Sequence, residues 1–179
     1  MLNRDDAVLV FIDVQGRLHE LMVEKDVLDA NLEKLIRAAK LLEVPMIGTE
    51  QIPEKLGPTS EPFKGLLGDV PMVGKTTFSC CGDAGFAAAF QALEKKQAIL
   101  IGIETHVCVY QTAIELLEQG VAVFVAADAV SSRTAQNKAL ALEAMKQAGA
   151  VILPTESILM ALQKDAAEPT FRELLKLIK

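Results

Sequence analysis

The sequence predicts an α/β protein with three αβα layers around a mainly parallel, six-stranded Rossmann-like sheet. Three observations lead there. Short apolar runs rich in branched residues, at 7–12, 98–101 and 121–126, have the length and continuity of strands covered on both faces. Amphipathic stretches with helical spacing alternate with them. Connections are short apart from one, and no internal repeat is present. At 179 residues the chain is long enough for a sizeable core, and it reads as one domain over 1–179.

Taken in order, the first strand ends at Asp13. Leu32, Leu35, Ile36, Ala39 and Leu42 share one helical stripe, with Asn31 available as N-cap. A second strand follows at 44–49. Residues 50–68 hold Pro53, Pro58 and Pro62 together with Gly57, Gly65 and Gly68, so they read as a long, functional loop. Pro71 confines a third strand at 70–73 to a sheet edge. A helix over 84–95 turns Phe86, Ala89, Phe90 and Leu93 inward. The fourth strand passes through Gly102 into a helical pattern at 113–119, which Gly120 stops. The fifth strand ends at Asp128, and a helix over 136–148 closes at Gly149. The sixth strand covers 150–153, with Thr155 capping the helix after it. Residues 169–178 form a last amphipathic helix with Phe171, Leu174, Leu175 and Ile178 on one face.

Composition excludes several classes of function. Apolar residues make up 51% of the chain, Trp is absent, and the net charge is −6, so aliphatic packing dominates. Lys and Arg are scattered, which leaves no footprint for nucleic acid or an anionic membrane. No apolar run approaches the ~18 residues of a membrane span, and no signal segment is evident. Three Cys without a C-x-x-C pair point to a reducing, cytoplasmic setting. Little charge on the later helices leaves faces to cover, so a homo-oligomer is expected.

The functional signal lies where three strands end. In open α/β sheets, ligands bind outside the carboxyl ends of the strands. The first, third and fourth strands lead to Asp13, Lys75 and Cys108, so a carboxylate, an ammonium and a thiol converge on one edge. Cys108 falls where a strand has ended and a helix begins, among N–H groups lacking intrahelical partners. A thiol there tends toward thiolate, the nucleophilic form, although a small buried hydrophobe fits the position too. Lys75 would stabilise the thiolate, Asp13 would accept or return a proton, and Cys108 would attack an electrophilic carbon. The Gly74-Lys75-Thr76 run lacks the first Gly of a phosphate loop, since position 69 is Asp69. His106, two residues from Cys108, reads as a pocket or packing residue.

Three stretches carry a family resemblance: 11–15 (Phe-Ile-Asp-Val-Gln), 73–79 (Val-Gly-Lys-Thr-Thr-Phe-Ser) and 102–112 (Gly-Ile-Glu-Thr-His-Val-Cys-Val-Tyr-Gln-Thr). In that order, the chain resembles the isochorismatase-like cysteine hydrolases over essentially its whole length. Residues 49–53, 56–59 and the tail at 169–179 are similar to the isochorismatase domain-containing branch. The resemblance implies a catalytic triad of Asp13, Lys75 and Cys108. It also implies a cis peptide before Glu104, with the N–H groups of Glu104 and Cys108 forming an oxyanion hole. Gln15, Gln51, Phe78, His106, Tyr110 and Gln111 sit in the matching motifs as substrate-pocket candidates, Tyr110 and Gln111 being alternatively subunit contacts. The nicotinamidase branch carries an Asp and two His after the second strand as a metal site. Here that stretch reads Thr49-Glu50-Gln51-Ile52-Pro53, and both histidines, His19 and His106, lie elsewhere. No metal and no cofactor are expected. The expected activity is a metal-independent amidohydrolase-type cleavage of a small-molecule C–N bond through a thioester. Two rival readings are a catalytically idle scaffold and a thiol redox protein pairing Cys108 with Cys80 or Cys81.

Overall fold

The computed structural model describes residues 1–178. Its centre is a six-stranded sheet in the order β3-β2-β1-β4-β5-β6, in which all pairings are parallel. The strands are β1 (Ala7–Ile12), β2 (Met46–Gln51), β3 (Met72–Lys75), β4 (Gln97–Ile103), β5 (Ala122–Ser131) and β6 (Val151–Leu153). This is the doubly wound order, and its switch point falls between β1 and β4.

Alternation along the central strands makes the three layers. Leu9 and Phe11 of β1, with Ile99 and Ile101 of β4, pack against α2 (Lys25–Leu41), α4 (Phe63–Leu67), α8 (Thr155–Gln163) and α9 (Phe171–Ile178). Val8, Val10 and Ile12, with Ala98 and Leu100, face α5 (Ala84–Ala92), α6 (Tyr110–Glu118) and α7 (Ala135–Gln147). Every residue of β1 is buried, as its continuous apolar run requires. β3 is an edge strand, as Pro71 dictates.

Four local expectations are corrected. Asn31 lies inside α2 rather than capping it, and its side chain donates to the carbonyl of Asp128. Segment 50–68 is more ordered than a loop. It carries the last two residues of β2, the short α3 (Pro53–Leu56) and α4, and it buries Phe63 and Leu67 in the core. The helix read at 84–95 ends at Ala92. Thr155 follows the cap Pro154, and its hydroxyl donates to Asp128 instead of capping its own helix.

β5 departs most from its reading. Leu100 pairs with Val125, but Gly102 pairs with Val130, so Ile101 alone stands opposite Ala126, Ala127, Asp128 and Ala129. The strand resumes beyond this offset and ends at Ser131 beside Ile103. Gly102 sits at the offset with φ +119°, and an added Cβ would lie 2.2 Å from the Ile12 carbonyl oxygen. Backbone atoms of β1 cannot yield as a flexible side chain would.

Gly102→Ala is therefore expected to lower the stability to denaturant by about 2–4 kcal/mol. Gly120→Ala, where φ is +79° but nothing lies within 4 Å, serves as the control and should cost about 1 kcal/mol. Equal losses in the two variants would show that the contact with β1 is not the constraint.

Candidate active site

Asp13 leaves β1 in the left-handed region with φ 52°, and its N–H donates to the carbonyl of Thr49 on β2. This turns a carboxylate that is 2% exposed back across the end of the sheet. Lys75, the last residue of β3, meets it from the edge. Its Nζ lies 2.6 Å from Asp13 Oδ2, with the two side chains 0% and 2% exposed. The ammonium also donates to Gln51 Oε1 at 2.7 Å and points at the carbonyls of Thr77 and Phe78, both at 3.1 Å. An ammonium carries three hydrogens, so four acceptors occupy Lys75 completely. The sequence reading assigns Lys75 to stabilising a thiolate. In the structure it instead fixes the carboxylate, and acts on the thiol only through its charge.

The other carboxylate oxygen is held from β2. Thr49 Oγ1 donates to Asp13 Oδ1 at 2.7 Å and lies 3.7 Å from Cys80 Sγ. Because the Thr49 hydrogen is on Asp13, the Cys80 thiol is the donor in the second contact. Burial, then the charge of Asp13, push the Cys80 thiol up to about 12, so it stays protonated and fills this role. Cys81, half-buried beside Glu115, is pushed up to about 11 for the same leading reason.

Cys108 lies in a π-helical turn, Thr105–Val109, between β4 and α6. The peptide bond between Ile103 and Glu104 is cis, as the resemblance implied. The Glu104 carbonyl accepts from both Val107 N and Val109 N, which closes the turn. Among the described residues, no acceptor receives the Glu104 N–H. Cys108 is 7% exposed. The tendency toward thiolate read from its position is overturned. Burial raises the thiol most, the Asp13 charge and a hydrogen bond to Asp13 raise it further, and Lys75 offsets only part. At rest Cys108 is therefore a protonated thiol near the Asp13 carboxylate.

The remaining candidates divide. Gln51 belongs to the Lys75 cage, its Nε2 donating to the Thr76 carbonyl at 2.9 Å. Gln15 does not present its amide to a ligand. Its Nε2 donates to the Gln51 and Gly57 carbonyls and its Oε1 accepts from Gln51 N, clipping the 50–68 segment to β1. Phe78 stands 54% exposed at the rim. His106, Tyr110 and Asn137 line a groove of about 220 Å³ between α6 and α7. Gln111 is half-buried on α6. Glu50 Oε1 accepts from the N–H and hydroxyl of Thr59. That segment does not offer a metal set.

Thr49, Ser132, Arg133 and Asn137 were missed by the sequence reading. Arg133 Nε lies 2.5 Å from Glu104 Oε1 and a second nitrogen 3.4 Å from Oε2. The Glu104 hydrogen bond and charge raise the Arg133 pKa. Ser132 Oγ and Asn137 Nδ2 flank the His106 ring at 3.0 and 3.4 Å. All three follow β5, at the same carboxyl edge as the triad.

A profile of the isochorismatase domain matches residues 7–157. Isochorismatase domain-containing protein 2 of Danio rerio is 36% identical over 177 residues, which span 99% of this chain and 89% of that protein. The secreted isochorismatase effector Isc1 of Phytophthora sojae is 38% identical over 177 residues, 97% of this chain and 84% of its own. Among solved structures, the MAR1 ribonuclease of Caenorhabditis elegans superposes with a TM-score of 0.93 at 35% identity, over 99% of this chain and 91% of that one. The YcaC gene product of Escherichia coli, described as an octameric hydrolase of unknown specificity, gives 0.93 at 27% identity, over 98% and 89%. With the strand order, the three motifs and these matches together, the chain belongs to the isochorismatase family of hydrolases, in its domain-containing branch.

Proposed function

We propose that the protein is a metal-independent cysteine hydrolase that cleaves a small-molecule C–N bond, most simply an amide, through a thioester on Cys108. The observation that carries this reading is the placing of a buried thiol against a carboxylate whose other contacts are a locked ammonium and a hydroxyl. As Sγ attacks the carbonyl carbon, the thiol hydrogen passes to Asp13. The oxyanion develops beside the Glu104 N–H and the Cys108 N–H. Collapse breaks the C–N bond, and the leaving amine takes the proton from Asp13. Water then attacks the thioester, giving its proton to Asp13, and the C–S bond breaks. The returning thiolate recovers that proton and releases the acid. Lys75 orients Asp13 through their ion pair, and its own hydrogens stay with the acceptors around it.

Small size and lack of polyanionic character in the substrate agree with the 7% exposure of Cys108 and the net charge of −6. RNA is a necessary control because one structural neighbour is described as a ribonuclease. Assembly into a homo-oligomer is supported by the octameric YcaC neighbour. None of the helices described is long and apolar enough to cross a membrane. Three unpaired cysteines fit work in a reducing, cytoplasmic compartment.

On a panel of small amides read by ammonia release, Cys108→Ala and Asp13→Asn should each lower turnover by about 10³-fold or more. Full turnover by Cys108→Ala would end this reading. No turnover by the wild type on any substrate, with no acyl adduct on Cys108, would favour a scaffold.

The pH dependence of Cys108 alkylation by iodoacetamide follows from its environment. The rate should still be rising above the ~8.5 of an ordinary thiol. Because the Lys75 charge lowers the thiol pKa, Lys75→Met should move the profile further upward. A midpoint at or below that of a free thiol would contradict the buried thiol–carboxylate pair.

A further inference from the structure

Arg133 belongs to neither the triad nor the turn that holds Cys108, yet it makes the shortest polar contact to that turn. It follows Ser131, the last residue of β5, which pairs with Ile103 beside the turn. Its side chain is 54% exposed, whereas the Glu104 carboxylate it grips is 6% exposed. A surface ion pair of this length would contribute little by itself. Here one partner is buried, so the arginine supplies the charge neutralisation that allows Glu104 to be inside at all. The grip is two-pronged, at 2.5 and 3.4 Å, and a planar guanidinium fixes the direction of a carboxylate in a way that a point charge does not.

The neighbouring contacts act in the same direction. Ser132 Oγ and Asn137 Nδ2 hold the His106 ring on its two nitrogens, and His106 Nε2 lies 3.7 Å from Glu104 Oε2. Two alternate side chains of the turn, Glu104 and His106, are thus tied to one segment running from β5 into α7. The Glu104 carbonyl is tied separately, by Val107 N and Val109 N. With its side chain and its carbonyl both held, the Cα of Glu104 is fixed from one side, and Ile103, paired with Ser131, fixes the preceding peptide that carries the Glu104 N–H, for which no acceptor is found among the described residues.

We infer that Arg133 is a positioning residue for the oxyanion: by clamping the buried Glu104 carboxylate, it aims the Glu104 N–H at the oxygen of the tetrahedral intermediate. This rests on the cysteine-hydrolase reading above. It is separable from that reading because two reactions of the same thiol make different demands. Acylation of Cys108 by p-nitrophenyl acetate passes through a tetrahedral oxyanion. Alkylation by iodoacetamide displaces iodide at a saturated carbon and forms none. The charges that bear most on the thiol are those of Asp13 and Lys75, so loss of Arg133 leaves alkylation nearly untouched.

The experiment measures both rates on the full chain for wild type, Arg133→Met and Arg133→Lys, with the adduct located on Cys108 by mass spectrometry. Arg133→Met is expected to slow acylation by about 10- to 100-fold, the range for a misaligned oxyanion donor, with alkylation within about threefold of wild type. Arg133→Lys should recover part of the acylation rate, because it restores the charge without the fork. Unchanged acylation in Arg133→Met would overturn the assignment. A parallel fall in both reactions would do so as well, since it marks general disorder of the turn. If wild-type Cys108 is alkylated but never acylated, the hydrolase reading fails and this assignment falls with it. Acylation of the wild type that Arg133→Met leaves intact removes this assignment alone.

Discussion

The ion pair between Lys75 and Asp13 is the constraint on which the rest of the site depends. Two opposite charges are held where almost no solvent reaches, and breaking such a pair by removing one partner costs about 3–5 kcal/mol. The surrounding contacts are what make it tolerable. Gln51 and the carbonyls of Thr77 and Phe78 complete the ammonium, and Thr49 completes one side of the carboxylate. These groups come from β2, from β3 and from the chain leaving it, while Asp13 comes from β1. The register in which Gln51 lies beside Lys75, and Ile12 beside Thr49, therefore serves the charge pair as much as the core. Strand order and site chemistry are one arrangement seen at two scales.

That arrangement changes the part each triad member plays. An exposed cysteine at a helix start, with a lysine beside it, would rest as thiolate. Burying the same three groups reverses the balance, because desolvation penalises the thiolate and the lysine already has its acceptors. What remains is a neutral thiol next to a carboxylate paired with a buried ammonium. In the proposed reaction, such a centre presents little nucleophilicity to solvent and acquires it only as a bond to carbon forms. The raised thiols of Cys80 and Cys81 fit the same setting, Cys80 serving as a hydrogen-bond donor behind Thr49.

Much of this was legible in the sequence. Of the strands with continuous apolar runs, β1 could be placed to the residue and β4 within two, because burial on both faces leaves no other composition for them, whereas β5 runs on past its apolar stretch to Ser131. Asp13, Lys75 and Cys108 stood out as reactive side chains at strand ends. The missed residues share a physical reason. Thr49 looked like one more β-branched strand residue, and only the register showed that its hydroxyl meets Asp13. Arg133 looked like a surface charge in a polar connection, which by exposure it is. Its importance comes from the burial of its partner, and Glu104 gave no sign of that in a sequence. Gln15 erred in the other direction. It lies in a family motif, but its amide is occupied by the segment it clips down. Asn31 was misread because α2 begins earlier than its apolar stripe, with the preceding turn lying over the end of β5.

The offset in β5 has a consequence for how this scaffold can vary. Below it, Val123 to Val125 pair with Ala98 to Leu100 in an unbroken ladder; above it, Val130 and Ser131 pair with Gly102 and Ile103. Ala126 to Ala129 take up the difference with no β4 partner of their own apart from the space opposite Ile101. The strand thus contains an expansion joint. Adding or removing a residue there would leave the lower ladder in place while re-aiming everything that follows Ser131, including the arginine that grips Glu104. In this fold, the distance between a rigid core and an adjustable reaction site is four residues of a single strand.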